Sequence, residues 1–273
     1  MENKLQNNQL PTSFGQQLKM WRKKRGLSQL QLALSAHTTP RHLSFIESGR
    51  SRPGRDIVLR LSQCLDLSVR NCNSLLLAAG LPPQFPEREF DKDRPSPFHR
   101  AIEQILKQHE PYPGCAFDSL GRVILCNEAQ RRFVPGCEIQ TPEESIDAWF
   151  GPGANRDFIQ NWAEVAWNWV DRQLHEAART NNQELAKLVE RALRHLGDTE
   201  RPAAHSDNDP DVFSTRFRIG DKVIRTFATV MRFETAQEVT LSELRVELLF
   251  PFDETAAEFF HDLKEQSESN LCE

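Results

Sequence analysis

The stretch from Ser28 to Arg50, SQLQLALSAHTTPRHLSFIESGR, decides how the N-terminal part of the chain folds. Ser28 caps a helix whose apolar residues include Leu32 and Ala33, and Ser35 to Thr38 form a polar turn. Thr39 followed by Pro40 is an N-cap with proline at the first helical position, so a second helix starts there and runs through Leu43 and Ile46 to Glu47. Gly49 stops it. Working outward, Phe14, Leu18 and Trp21 fall at i, i+4 and i+7 and predict a helix that ends near Gly26. Val58, Leu61 and Leu65 predict another after the Pro53-Gly54 break, and Leu75 to Leu77 a fifth that ends at Gly80. The expected fold of residues 14–80 is therefore an all-α bundle of five helices with a helix-turn-helix at its centre.

In such a bundle the second helix of the pair presents its outer face to the major groove of DNA. Leu43 and Ile46 share the inward face, which leaves Arg41, His42, Ser44 and Phe45 outward, with Thr39 at the helix start. Arg41 is the candidate for base readout, because a guanidinium in the first turn can bond both major-groove acceptors of guanine. Ser44 would add a polar contact and Phe45 an apolar contact to a thymine methyl group. Gln29, at the start of the preceding helix, and Arg50, Arg52 and Arg55, around the following turn, are candidate phosphate contacts. Each basic residue alone reads equally well as a solvated surface charge, so the argument rests on the set.

Charge distribution points the same way. Net charge is -5 over 273 residues, but residues 1–80 carry 12 Lys/Arg against 4 Asp/Glu, leaving 22 against 35 for the remainder. A basic head on an acidic body fits a module that touches phosphates attached to one that does not.

In Arg22 to Gly26, Leu27-Ser28-Gln29, Leu32-Ala33, Ile46-Glu47-Ser48-Gly49-Arg50 and Arg52-Pro53, residues 14–80 resemble the lambda-repressor-like XRE family of DNA-binding domains. The resemblance implies that Gln29, Arg41 and Ser44 fall at DNA-contact positions and that Ala33 lets the two central helices pack closely. Pro40 departs from the small polar residue common at its place.

Residues 81–97 hold five prolines, Pro82, Pro83, Pro86, Pro95 and Pro97, and read as a linker. Beyond it comes a helix around Phe98 to Gln108, then two short apolar runs, Cys115 to Asp118 and Val123 to Cys126, on either side of a turn. A helix follows from about Glu128 to Phe133. Long helical stretches occupy about Asn155 to Ala178, with Phe158, Trp162, Val165 and Trp169 on one face, and about Gln183 to Leu196. After a polar stretch around 198–210 the period becomes two, with Phe213, Thr215, Phe217 and Ile219 alternating with polar residues. A Gly220-Asp221 turn then leads into a strand from Val223 to Phe233, and a last strand carries Leu244, Val246, Leu248 and Phe250 on one side. The expectation for 98–263 is an α+β domain with a five-stranded antiparallel sheet and inserted helices, between a flexible N-terminus at 1–13 and a flexible tail at 264–273.

Strand, Asp-x-x-Gly turn, strand, then Asn127 opening a helix resembles the start of a PAS-like domain. Glu110-Pro111-Tyr112-Pro113, Asn161-Trp162 and Leu241 to Phe252 resemble the MmyB-like ligand-binding domain found behind XRE heads, as do Arg41 to Phe45 and Leu75 to Gly80. This resemblance implies a regulator whose pocket accepts a fatty acid or similar apolar molecule. A one-sided sheet with large apolar residues facing aromatic-rich helices could close over an elongated apolar cavity. Phe117, Trp162, Phe217, Phe227 and Phe250 are candidate walls and Asn127 or Arg225 a candidate polar orienter, although aromatic residues at this spacing equally build a core.

The reading is a sequence-specific regulator of double-stranded operator DNA that senses a small apolar ligand and acts as a homodimer on two half-sites. The alternative is a C-terminal domain that only dimerises. No Gly-x-Ser-x-Gly, glycine-rich phosphate loop or His-Glu-x-x-His occurs, so no catalytic residue is expected. Six cysteines without a Cys-x-x-Cys pair suggest reduced, mostly buried thiols, with no metal, no cofactor and no strong redox signal. An apolar run of membrane-spanning length and a secretory leader are both missing, so the chain is expected in the cytoplasm and off the membrane.

Overall fold

The structure, a computed structural model, describes residues 13–88, 96–138, 141–202, 212–233 and 236–270. The expected N-terminal segment up to 12, residues 89–95 of the linker, 203–211 of the polar stretch, and 271–273 with Cys272 lie outside the described residues. Two compact units emerge, one gathering residues up to 88 with the segment 236–242, the other holding the remainder.

Five helices build the first unit: α1 (Phe14–Lys24), α2 (Gln29–Ser35), α3 (Pro40–Glu47), α4 (Arg55–Cys64) and α5 (Val69–Ala78). Ser13 and Ser28 each close a reciprocal capping box, with Gln16 and Gln31, and the Thr39 hydroxyl accepts the His42 amide at 3.1 Å. These bonds satisfy amides that a helix start leaves orphaned, so each short helix has a defined beginning. Leu18, Leu32, Ala33, Leu43, Leu61, Leu75 and Leu76 meet in one core, all fully buried. Gly15 lies where a Cβ would sit 2.4 Å from the Glu47 carbonyl oxygen, so α1 meets the end of α3 backbone to backbone. Chain beyond α5 stays attached: the Asn73 side chain bonds the amides of Gln84 and Phe85 and the Phe85 carbonyl. The Val239 amide donates to the Pro86 carbonyl, and the Glu238 carboxylate accepts the Arg88 amide.

The second unit opens with α6 (Pro97–Gln108), then β1 (Gly114–Phe117) and β2 (Val123–Cys126) around a turn in which Asp118 accepts the Leu120 and Arg122 amides. Next come α7 (Glu128–Phe133), α8 (Pro142–Phe150), α9 (Ala154–Phe158), α10 (Trp162–Thr180) and α11 (Gln183–Leu196). Strands β3 (Ser214–Ile219), β4 (Lys222–Arg232) and β5 (Arg245–Pro251) follow, with α13 (Glu254–Asn270) after β5; the short α12 (Val239–Glu243) comes between β4 and β5 in the chain but belongs, up to Ser242, to the first unit. The strands pair antiparallel in the order β2-β1-β5-β4-β3. This is the α+β layout expected from the sequence.

Three details differ from that expectation. The single helix anticipated from Asn155 is two, because Ile159 bridges to Phe217 and the Asn161 side chain bonds the Arg216 amide and the Ser214 carbonyl, pulling the chain out to the edge of β3. Helices α8 and α13 were not read from the sequence. Moreover, the sheet is packed on both faces. Phe217, Ile224 and Leu249 belong to the core shared with α7 to α11 and α13, whereas Ala116, Val246 and Leu248 pack with Ile102 and Leu106 of α6.

Candidate nucleic-acid interface and ligand cleft

Helix α3, the second of the central pair, buries Leu43 and Ile46 and leaves Arg41 exposed, with His42, Ser44 and Phe45 half-buried beside it. Arg41 lies over the Phe45 ring, 5.4 Å from its centroid, and the His42 ring bonds the Thr38 hydroxyl at 2.9 Å. Thr39, Arg50 and Arg52 are exposed. Two other expected contacts carry internal bonds. The Gln29 amide donates to the Glu47 carboxylate at 2.8 Å, and the Arg55 guanidinium holds the Pro82 carbonyl at 3.1 Å and the Gln84 side chain.

Beneath α3, Arg22 of α1 grips Glu47. Burial works against the Glu47 carboxylate, but the Arg22 guanidinium and the Gln29 amide outweigh it and hold the carboxyl below its usual range. The same pair raises Arg22. Neither residue was singled out from sequence as a positioning group, because a Lys/Arg cluster at 22–25 does not say which member turns inward.

In the second unit the expected pocket residues separate. Following the strand register, Phe117 and Phe217 lie on the sheet face toward α7 to α11, while Phe227 and Phe250 stack at 5.5 Å on the opposite face. Phe217 sits among Phe133 and Phe158. Trp162 is buried, its indole donating to the Trp149 carbonyl at 2.8 Å under the Arg156 guanidinium. Arg225 lies over the Phe252 ring at 3.9 Å. Asn127 is saturated: its oxygen accepts the Gly114 and Gln130 amides, and its nitrogen donates to the Leu106 and Tyr112 carbonyls.

An open cleft of about 480 Å3 lies between α6, β2, α7 and α13. Leu106, Leu125 and Cys126 form its apolar floor, and Lys107, Arg131, Arg132 and Lys264 stand around it with Glu103, Glu110 and Glu128. Of the expected pocket residues, Asn127 alone belongs to this lining. One Glu110 oxygen accepts the Ala129 amide, while the other is buried without a hydrogen-bond partner. The cleft escaped sequence reading because its walls come from segments more than 130 positions apart, from Glu103 to Lys264, and no local pattern connects them.

Residues 98–263 match the family described as MmyB-like transcription regulator ligand binding domain. The chain belongs to this MmyB-like family. A helix-turn-helix family matches residues 18–70, covering α2 and α3. No curated protein matches the chain. The MmyB-like regulator is thus a DNA-binding transcription regulator with a ligand-binding domain, and the families it matches are regulatory ones rather than enzymes. Among its described residues no helix is long and apolar enough to cross a membrane, and no cluster of His, Cys, Asp and Glu could hold a metal ion.

Proposed function

We propose that α3 reads double-stranded operator DNA, and that a small apolar molecule with an anionic head, a fatty acid or its like, binds the C-terminal domain and sets operator affinity. Arg41 reads a base, with Thr39, His42, Ser44 and Phe45 alongside, and Arg50 and Arg52 hold phosphates. Gln29 and Arg55 act as braces, since their side chains already bond Glu47 and the 82–84 segment. The homodimer reads two half-sites.

The observation that carries the ligand reading is the cleft with an apolar floor and four cationic side chains around it. An acyl chain fits Leu106 and Leu125, a carboxylate fits the cations, and a protonated ligand or bound water meets the orphaned Glu110 oxygen. The segment 236–242, between β4 and β5 in the chain, belongs to the helical unit, so the chain passes from the sheet to the head and back at this point. Ligand affinity that differs between two arrangements of the domain then changes DNA affinity.

The test begins by selecting the operator from random duplexes, then titrates delipidated full-length protein with a long-chain fatty acid while DNA binding is read by anisotropy. A shift of about fivefold or more in the operator Kd, weaker for the corresponding alcohol, is the expected result. Fatty acid that neither binds nor moves the Kd would sink the ligand reading and leave a domain that only dimerises.

A further inference from the structure

Cys126, the last residue of β2, forms part of the cleft floor, and Cys137 follows α7 by a short turn. Their sulfurs lie 3.9 Å apart although the residues are eleven positions apart in the chain, so the two thiols bracket α7. The Cys126 backbone is tied into the sheet by its pairing with Cys115, whereas Cys137 sits on a turn made with Gly136 at φ 76° and a Cys137 amide bond to the Val134 carbonyl. A disulfide needs the sulfurs at about 2.05 Å, and the turn, which lies outside the sheet ladder, is the side that closes that gap. Around the pair stand the Arg131 guanidinium and the Glu138 carboxylate, which bond each other, with Glu138 3.6 Å from the Cys126 sulfur.

From this arrangement we infer that Cys126 and Cys137 are a peroxide-sensitive dithiol that closes into a disulfide across α7. Cys137 is the attacking thiol: it lies on the turn outside the sheet, and its contact with the Cys126 sulfur lowers its pKa against the opposing effect of burial, while the same contact and burial keep Cys126 protonated. The Cys137 thiolate attacks a hydroperoxide, forming an S–O bond as the O–O bond breaks and hydroxide or alkoxide leaves with a proton. The Cys126 thiol then gives up its proton and attacks that sulfur, the S–O bond breaks and water departs. Two thiols are oxidised by two electrons and one hydroperoxide is reduced. Cys115 is the rival partner, directly opposite Cys126 in the ladder, but burial pushes its thiol far above the usual range. Because Cys126, Asn127, Glu128, Arg131 and Arg132 line the cleft, closure fixes the cleft wall.

The test treats full-length protein with a small excess of hydrogen peroxide, blocks remaining thiols by alkylation and maps the peptides. Alkylated thiols should fall from six to four per chain, the two lost being joined as Cys126–Cys137. In Cys126→Ser, dimedone should label Cys137 as a sulfenic acid. Six retained thiols in the wild type, or a Cys115–Cys126 link in place of Cys126–Cys137, would overturn the inference. The wild-type map decides even if the serine variant folds poorly.

Discussion

Arg22 of α1 holds Glu47, the last residue of α3, through two bonds, Nε to Oε1 at 2.6 Å and Nη2 to Oε2 at 2.9 Å, with both side chains at least nine-tenths buried. The geometry fixes where α3 ends relative to α1. Removing one partner of such a pair leaves a buried charge and costs roughly 3 to 5 kcal/mol. Arg22→Met should therefore lower the denaturation midpoint of the head by that order and weaken DNA binding without removing any outward side chain. A loss under about 1 kcal/mol in chemical denaturation would show the pair to be dispensable.

Gly15 contributes to the same junction. Its substitution by alanine sets a Cβ 2.4 Å from the Glu47 carbonyl oxygen, and no side chain can yield there because the obstacle is backbone. Gly15→Ala should cost about 1 to 3 kcal/mol and displace α3, reducing operator affinity. Unchanged melting would mean that the helices separate at little cost.

Acid sensitivity follows from two carboxylates whose folded pKa values are depressed. Glu47 is held down by Arg22 and Gln29 against burial, and Asp147 by bonds to Arg191 at 2.5 Å and His195 at 2.7 Å that tie α8 to α11. A depressed carboxyl contributes stability above its unfolded pKa, about 4, and that stability is lost as pH falls through the lower folded value. Wild-type protein should thus lose stability below about pH 4 more steeply than Asp147→Asn or Glu47→Gln. Parallel pH profiles from calorimetry would remove these groups from the acid transition.

Asn127 separates capping from donation. Asn127→Asp keeps the oxygen that accepts the Gln130 amide but leaves the Leu106 and Tyr112 carbonyls without their donor. The expected loss is about 2 to 4 kcal/mol in the C-terminal domain, measured by urea denaturation followed through Trp fluorescence. A neutral result would mean that water replaces the amide.

At the proposed DNA surface four arginines should fall into three classes of behaviour. Arg41→Ala should cost about 1 to 3 kcal/mol on the selected operator and blur preference at one base position. Arg50→Ala or Arg52→Ala should lower the salt slope by about one with little change in preference. Arg55→Ala should leave the slope nearly unchanged, because its guanidinium already bonds Pro82 and Gln84. Salt-dependent anisotropy on specific and random duplexes distinguishes the three outcomes.

Much of the architecture was legible in the chain. Cap residues Ser28 and Thr39 announce helix starts because their hydroxyls bond amides three residues on, a local event that no distant contact has to complete. The spacing of Leu43 and Ile46, and the two-residue period through Phe217, likewise set which face turns inward before any partner is known. That reach ends with local geometry.

Tertiary structure alone decided which charged and aromatic side chains the site uses. Four adjacent basic residues, Arg22 to Arg25, look alike in sequence, yet Arg22 turns inward because Glu47 arrives from 25 positions away. Strand residues of similar character divide by register, so Phe217 and Phe227 face opposite sides of the sheet. The cleft, and the approach of Cys126 to Cys137, depend on helices α6, α7 and α13 converging on β2. Sequence determines periodicity and caps through interactions a few residues long. Pockets and pairs form where distant segments meet, and only packing specifies that meeting.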